Sequence, residues 1–355
     1  MAYTTIDDPS AYFQTTLYTG NGGTLAVTNG GNSDLQPNWV WCKVRSSDNH
    51  AIFDSVRGGQ KQLRSNTADA ELTRTNAISS FNSDGFTMGS QPEMNTNGQT
   101  YASWNWKAGT SFTNDASSTG IGSIDSAGSF NNDAGFSIVT YTGNGSSGAT
   151  VKHGMNQKPS MFIIKDRDNS NEGWMVYHTS LGATKYMRLN ETGAAATGSA
   201  YFNNTEPTSS VFTIGNNDVV NKSGDKYVTY CFAPKQGYSK FSSYVGNGSS
   251  SGSYIHLGFK PAFVMTKRTT GSGYDWLLYD NKRQVSFNVV DDFLKPNLAD
   301  AETTGNANQS LDFLSNGVKF RGNGASSNGS GVVYIYMAFA ENPFVTSIGV
   351  PATAR

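Results

Sequence analysis

The chain has 355 residues, with 26 Lys and Arg against 27 Asp and Glu, for a formal net charge of −1. Aromatics make up 12% and charged residues only 15%, a balance that excludes disorder, which goes with few aromatics and high net charge. It also offers no basic patch for nucleic acid, and no apolar run approaches the length of a membrane span.

Residues 1–11 read as an N-terminal arm. The opening MAYTTIDDPS has neither a basic nor an apolar region, so no signal peptide is expected. A first module spans 12–109. It begins with the alternating stretch FQTTLY, running into Tyr18-Thr-Gly-Asn-Gly22. Period-2 alternation ending in Gly-Asn-Gly predicts a strand entering a tight turn. Next comes Pro37-NWVWCKVR, where proline opens a near-continuous apolar run. Proline suits the first position of a strand, and an unbroken apolar run predicts burial on both faces. Phe53-DSVRGGQKQLRSN, a strand near Phe86-Thr-Met-Gly and the closing strand Tyr101-ASWNWKAG complete the set.

Residues 110–135 are rich in Ser, Thr, Gly, Asn and Asp, the composition of a flexible or extended linker. The same five markers then recur in the same order. Module two, 136–237, has Tyr141-Thr-Gly-Asn-Gly145, Pro159-SMFIIKDR, Tyr177-HTSLGATKYMRLN, Phe212-Thr-Ile-Gly and Tyr227-VTYCFAPK. Module three, 238–344, has Tyr244-Val-Gly-Asn-Gly248, Pro261-AFVMTKR, Trp276-LLYDNKRQVSFNVV, Val318-Lys-Phe-Arg and Tyr334-IYMAFAEN. Residues 345–355 read as a C-terminal tail. No linker separates modules two and three, so these two are expected to pack closely and the first to stand more independently. Helical periodicity is confined to a turn near Asp69–Leu72 and a segment around Asp291–Ala301. The predicted fold is all-β: three tandem antiparallel β-sandwich modules of jelly-roll, lectin-like kind, with a β-prism or open barrel left open by the pattern.

Residues able to carry chemistry are sparse. Cys42 and Cys231 lie in different modules, so no disulfide framework is expected and stability must come from packing. The four histidines, His50, His153, His178 and His256, lack metal-ligand spacing and read as backbone-bonded loop residues. Asp166, Asp168, Ser170 and Glu172 place oxygens at alternate positions, as a calcium loop does, but lack its glycine and its terminal glutamate; a polar hairpin turn explains them equally. Glu93, Glu172, Glu191 and Glu206 read as solvated loop carboxylates, with no recognisable pair for glycoside hydrolysis. No nucleophile elbow is present. No catalytic residue, metal or cofactor is therefore expected. Trp39, Trp41, Trp104 and Trp106 form i, i+2 pairs on strands, an aromatic stripe suited either to inter-module packing or to stacking on a glycan. Trp174 and Trp276 hold equivalent places in modules two and three, which favours packing.

Together these segments resemble a family of tailed-bacteriophage virion proteins, of the kind found in marine and cyanobacterial phages. The likeness rests on YTTIDDPSAYFQTTLYTGNG, on HG…KP.MFIIK.RD, on WMVYHTSLGATKYMRLNETGAAATGSAYFNNTEPTSSVFTIG and on the ending NKSGDKYVTYCFA. The resemblance implies a tail-fibre-like surface protein assembled into the virion in the host cytoplasm. Its expected partners are other virion proteins, further copies of itself (a trimer favoured) and a host-surface glycan or protein. It implies no catalytic residues. A capsid decoration or head-fibre protein is the alternative, and a polysaccharide depolymerase the second.

Overall fold

The proline-led strands organise the molecule. A computed structural model describes residues 2–284 and 287–351. Met1 of the expected arm, residues 352–355 of the expected tail, and Val285 and Ser286 of the third-copy marker lie outside them. Strands Trp39–Val44 and Met161–Asp166 are buried at every position, and Phe259–Arg268 at all but its last. Each sits inside a large antiparallel sheet, between the closing strand of its repeat and the strand that follows it in sequence. Pro261 falls inside the third of these strands, at a register shift against Val333–Pro343, where its missing N–H breaks no regular ladder.

Burial on both faces has a definite cause. Trp39 and Trp41 point one way, into a core shared by the whole molecule, whereas Val40, Cys42 and Val44 point the other way, toward a smaller sheet. That smaller sheet, Leu25–Val27, Gly85–Met88 and Ile78–Asn82, closes a two-sheet lobe. The second lobe pairs its large sheet with Ala149–Lys152 and Val211–Ile214, and the third with Tyr254–His256, Gly317–Phe320 and Leu311–Leu314. Each lobe has a private core between its two sheets.

The three large sheets turn their other faces toward one another around a common core. Trp39 stacks on Tyr230 of the second lobe with centroids 4.5 Å apart, Phe13 stacks on Phe339 of the third at 5.2 Å, and Phe232 meets Phe339 at 6.1 Å. All six tryptophans are less than 2% exposed. At about 150–250 Å² of buried surface each and roughly 25 cal/mol per Å², they outweigh any single ion pair several-fold. Packing around this core therefore holds the lobes together.

Three expectations need correction. The first lobe does not stand apart: it contributes four tryptophans to the common core. Residues 110–135 are not a free linker. They form strands Thr110–Asn114 and Ser126–Asn131, which extend the second large sheet beyond Phe136–Thr142. Polar composition misleads here because an edge strand needs few apolar residues; Phe112 and Phe130 suffice to seat it against the second lobe. Lastly, Asp69–Leu72 and Asp291–Ala301 form no helix. Helix among the described residues is limited to single turns, such as Pro92–Asn95 and Asp218–Asn221.

Candidate functional site

The Gly-Asn-Gly markers are not simple hairpins. Each is gripped by a buried asparagine far along the chain. The backbone N–H of Asn21 donates to Asn95 Oδ1 at 2.7 Å, that of Asn144 to Asn221 Oδ1 at 2.8 Å, and that of Asn247 to Asn328 Oδ1 at 3.0 Å. The amide groups of the same asparagines donate to Gly23 and Gly89, to Ser146 and Gly215, and to Ser249 and Gly322. The second glycine of each marker adopts φ between 68° and 72°, where a side chain would be strained. Beside each turn the marker tyrosine stacks on the first tyrosine of the closing strand, in the pairs Tyr18–Tyr101, Tyr141–Tyr227 and Tyr244–Tyr334. These side chains turn a glycine-rich loop into a rigid one.

Corresponding residues also join the lobes head to tail. Trp174 Nε1 donates to the Arg64 carbonyl at 2.8 Å, Trp276 Nε1 to the Arg188 carbonyl at 3.0 Å, and His50 Nε2 lies 3.0 Å from the Lys295 carbonyl. His50 occupies the place that the tryptophans hold in the other lobes. Backbone bonds repeat the pattern: Glu71 N–H to Arg167, Ala195 N–H to Thr269 and Glu302 N–H to Arg45. Lobe one thus receives lobe two, lobe two receives lobe three, and lobe three receives lobe one. A heterologous contact that closes after three steps is a ring. The N-terminal arm straps the last seam, with Tyr3 Oη donating to Gly258 at 2.6 Å and Thr4 Oγ1 to Gln236 at 2.8 Å.

Two seams carry buried ion networks and the third does not. Between lobes one and two, Arg57 pairs with Asp54 and Glu71, Glu71 pairs with Arg167, and Tyr230 Oη donates to Asp54. Between lobes three and one, Arg283 pairs with Asp280 and Glu302, Arg45 binds Glu302, and Trp104 Nε1 donates to Asp280. In the remaining seam the corresponding positions are His178, Leu181, Ala195 and Thr269. All four charges are replaced together. The ungapped likeness of the first two repeats shows Asp54 against His178 and Arg57 against Leu181, but nothing in it shows that these positions face another lobe.

The residues singled out from sequence are placed as follows. Trp39, Trp41, Trp104 and Trp106 do come together, but each is at most 1% exposed. No ring face is left for a glycan, so they are inter-lobe packing residues. Asp166, Asp168, Ser170 and Glu172 do not converge. Asp166 Oδ1 accepts from the N–H groups of Asp168 and Asn169, Asp168 Oδ2 accepts from the N–H of Lys226, and Ser170 Oγ accepts from Ala70. Burial raises the Asp166 pKa. Among the described residues no group of three or more His, Cys, Asp or Glu is placed to hold a metal ion. His50, His153 and His178 contact backbone carbonyls; burial depresses all three, His153 and His178 to about 4. Cys42 and Cys231 are free and buried, and desolvation pushes the Cys42 thiol up to about 12. Glu93 is not solvated: it is 6% exposed and bound by Arg64 and Gln62.

One seam opens to solvent. Between lobes one and three lies a cleft of about 280 Å³, walled by Thr15 and Gly30–Asn32 on one side and by Asn281, Glu341 and Asn342 on the other, with Phe13 and Ala262 also lining it. Gln14 fixes its rim, accepting from the N–H of Gly31 at 2.7 Å and donating to the Ser10 and Ser33 carbonyls.

A family profile described as a domain of unknown function, DUF7483, matches residues 8–343. The chain belongs to the DUF7483 family. The single profile runs through all three lobes, so the family's unit includes the whole ring rather than one lobe. No curated protein and no solved structure matches the chain.

Proposed function

We propose that this DUF7483 protein is a non-enzymatic structural protein of a tailed-bacteriophage virion, acting as a tail-fibre or tail-tip adhesin that contacts the host surface. The resemblance in sequence supplies the class. The observation that carries the role is the closed ring: three sandwiches spend their apolar faces on one another, and the outer surface is left to loops on a rigid frame. Surfaces of that kind, loops held by a scaffold, are where proteins place recognition. Assembly with other virion proteins and with further copies of the chain, a trimer above all, belongs to the same reading, as does location in the virion.

The test is adsorption. Purified protein is expected to bind host cells and to compete with phage for attachment; failure of both overturns the adhesin role. A capsid decoration or head-fibre protein is the second reading. The pseudo-threefold ring favours it, because such a body suits a threefold position on a shell. Copy number per particle separates the two, with hundreds pointing to the capsid and a few dozen or fewer to the tail.

A further inference from the structure

We infer that the cleft between the first and third lobes binds a neutral sugar at the end or within a short stretch of a surface polysaccharide. This names the ligand of the proposed adhesin and rests on that reading for its biological setting. The cleft is built rather than incidental. Thr15 is 6% exposed, yet its Oγ1 has no hydrogen-bond partner in the chain, and the buried Oδ1 of Asn281 across the seam has none either. A buried polar atom without a partner costs about 1–3 kcal/mol, and both of these line the same cavity.

The lining decides the ligand. Asn281 Oδ1 and the Glu341 carboxylate are acceptors and call for hydroxyl donors; Thr15 Oγ1 and the amide of Asn342 can serve either way. The carboxylate is already met by Lys260 at 3.0 Å, so a second anion gains no buried cation there. Adjacent acceptors and hydroxyls around a small apolar floor match a polyhydroxylated ring and disfavour an acidic sugar. A volume of about 280 Å³ is near the lower bound of small-molecule sites, the scale of one or two sugar rings and not of a peptide.

Two substitutions test this without touching the core. A Cβ placed on Gly30 meets nothing within 4 Å, so Gly30→Trp can fold and obstruct the cleft. Thr15→Val removes a hydroxyl that the fold does not use. The full chain is screened against neutral hexose and N-acetylhexosamine mono- and disaccharides, with uronic and sialic acids alongside, by immobilised-sugar binding and by saturation-transfer NMR. A subset of neutral sugars is expected to bind, with affinity at least tenfold lower in each variant and circular dichroism unchanged. Absence of any neutral-sugar binding, preference for acidic sugars, or binding unaltered in both folded variants overturns the inference. Cell adsorption separates the two proposals. If the parent protein binds sugars but not cells, the cleft stands and the adhesin falls; if Gly30→Trp adsorbs to cells as well as the parent, the adhesin stands and the cleft falls.

Discussion

At the scale of single residues, buried polar side chains do two different jobs. Asn95, Asn221 and Asn328 are fully buried and fully bonded, so they stabilise the turns they grip. The buried histidines instead make stability depend on acid. His178 lies at the neutral seam, with Nδ1 accepting from the Ser180 N–H and Nε2 directed at the Tyr336 carbonyl. Burial depresses it from 6.5 to about 4, and His153 likewise. The unfolded chain therefore takes up protons first as pH falls below 6.5, and stability is lost progressively from there to about pH 4. Glu71 and Glu206, whose pKa values are lowered from 4.5, add a loss only below that value, so the two windows separate. In His178→Gln, which keeps a donor for Tyr336, the fall in urea midpoint between pH 6.5 and 4 is expected to be smaller than in the parent. An unchanged slope would show that His178 does not carry it.

At the scale of elements, the pair of strands at 110–114 and 126–131 has a protective role. Phe136–Thr142 in the second lobe corresponds to Phe13–Thr19 and Ser239–Val245, the terminal strands of the other two large sheets. In the second lobe alone this strand is covered on its outer side, through a six-residue register with Ser126–Asn131. Unpaired sheet edges invite intermolecular pairing. Replacing residues 110–131 by a Gly/Ser segment of equal length bares that edge and also removes Phe112 and Phe130 from the lobe. The variant is expected to self-associate, read as a rise in light scattering with concentration that the parent does not show. Equal scattering by parent and variant would mean that the edge needs no cover.

At the scale of the whole molecule, the seams decide which lobe meets which. Packing in the common core is similar all round, whereas the polar sets differ: two ionic seams and one neutral. A buried pair contributes little net energy, but removing one partner strands the others, at roughly 3–5 kcal/mol. Arg57→Leu, which leaves Asp54 and Glu71 buried without that guanidinium, is expected to lower the denaturant midpoint sharply. Adding Asp54→His, Glu71→Ala and Arg167→Thr copies the neutral seam, and the fourfold variant should recover most of that loss. Additive losses across the four substitutions would contradict the view that they act as one set. Such non-additivity is the mark of residues sharing a network.

Much of this was legible in the chain itself. Period-2 alternation and the five repeated markers fix strands, lobes and their order, because side chains on a strand report locally which face is buried. The doubly buried proline-led strands were legible for the same reason. What covers each face was not. The tryptophan stripe reads equally as a sugar platform or a packing surface until the other two sheets are placed against it. Asp54, Arg57, Glu71 and Arg167 look like ordinary turn charges, and the cleft beside Thr15 joins residues more than 260 positions apart. Local pattern determines the sandwiches; only the closing of the ring, which depends on contacts between distant segments, decides which polar groups are buried, which are paired and which are left facing a cavity.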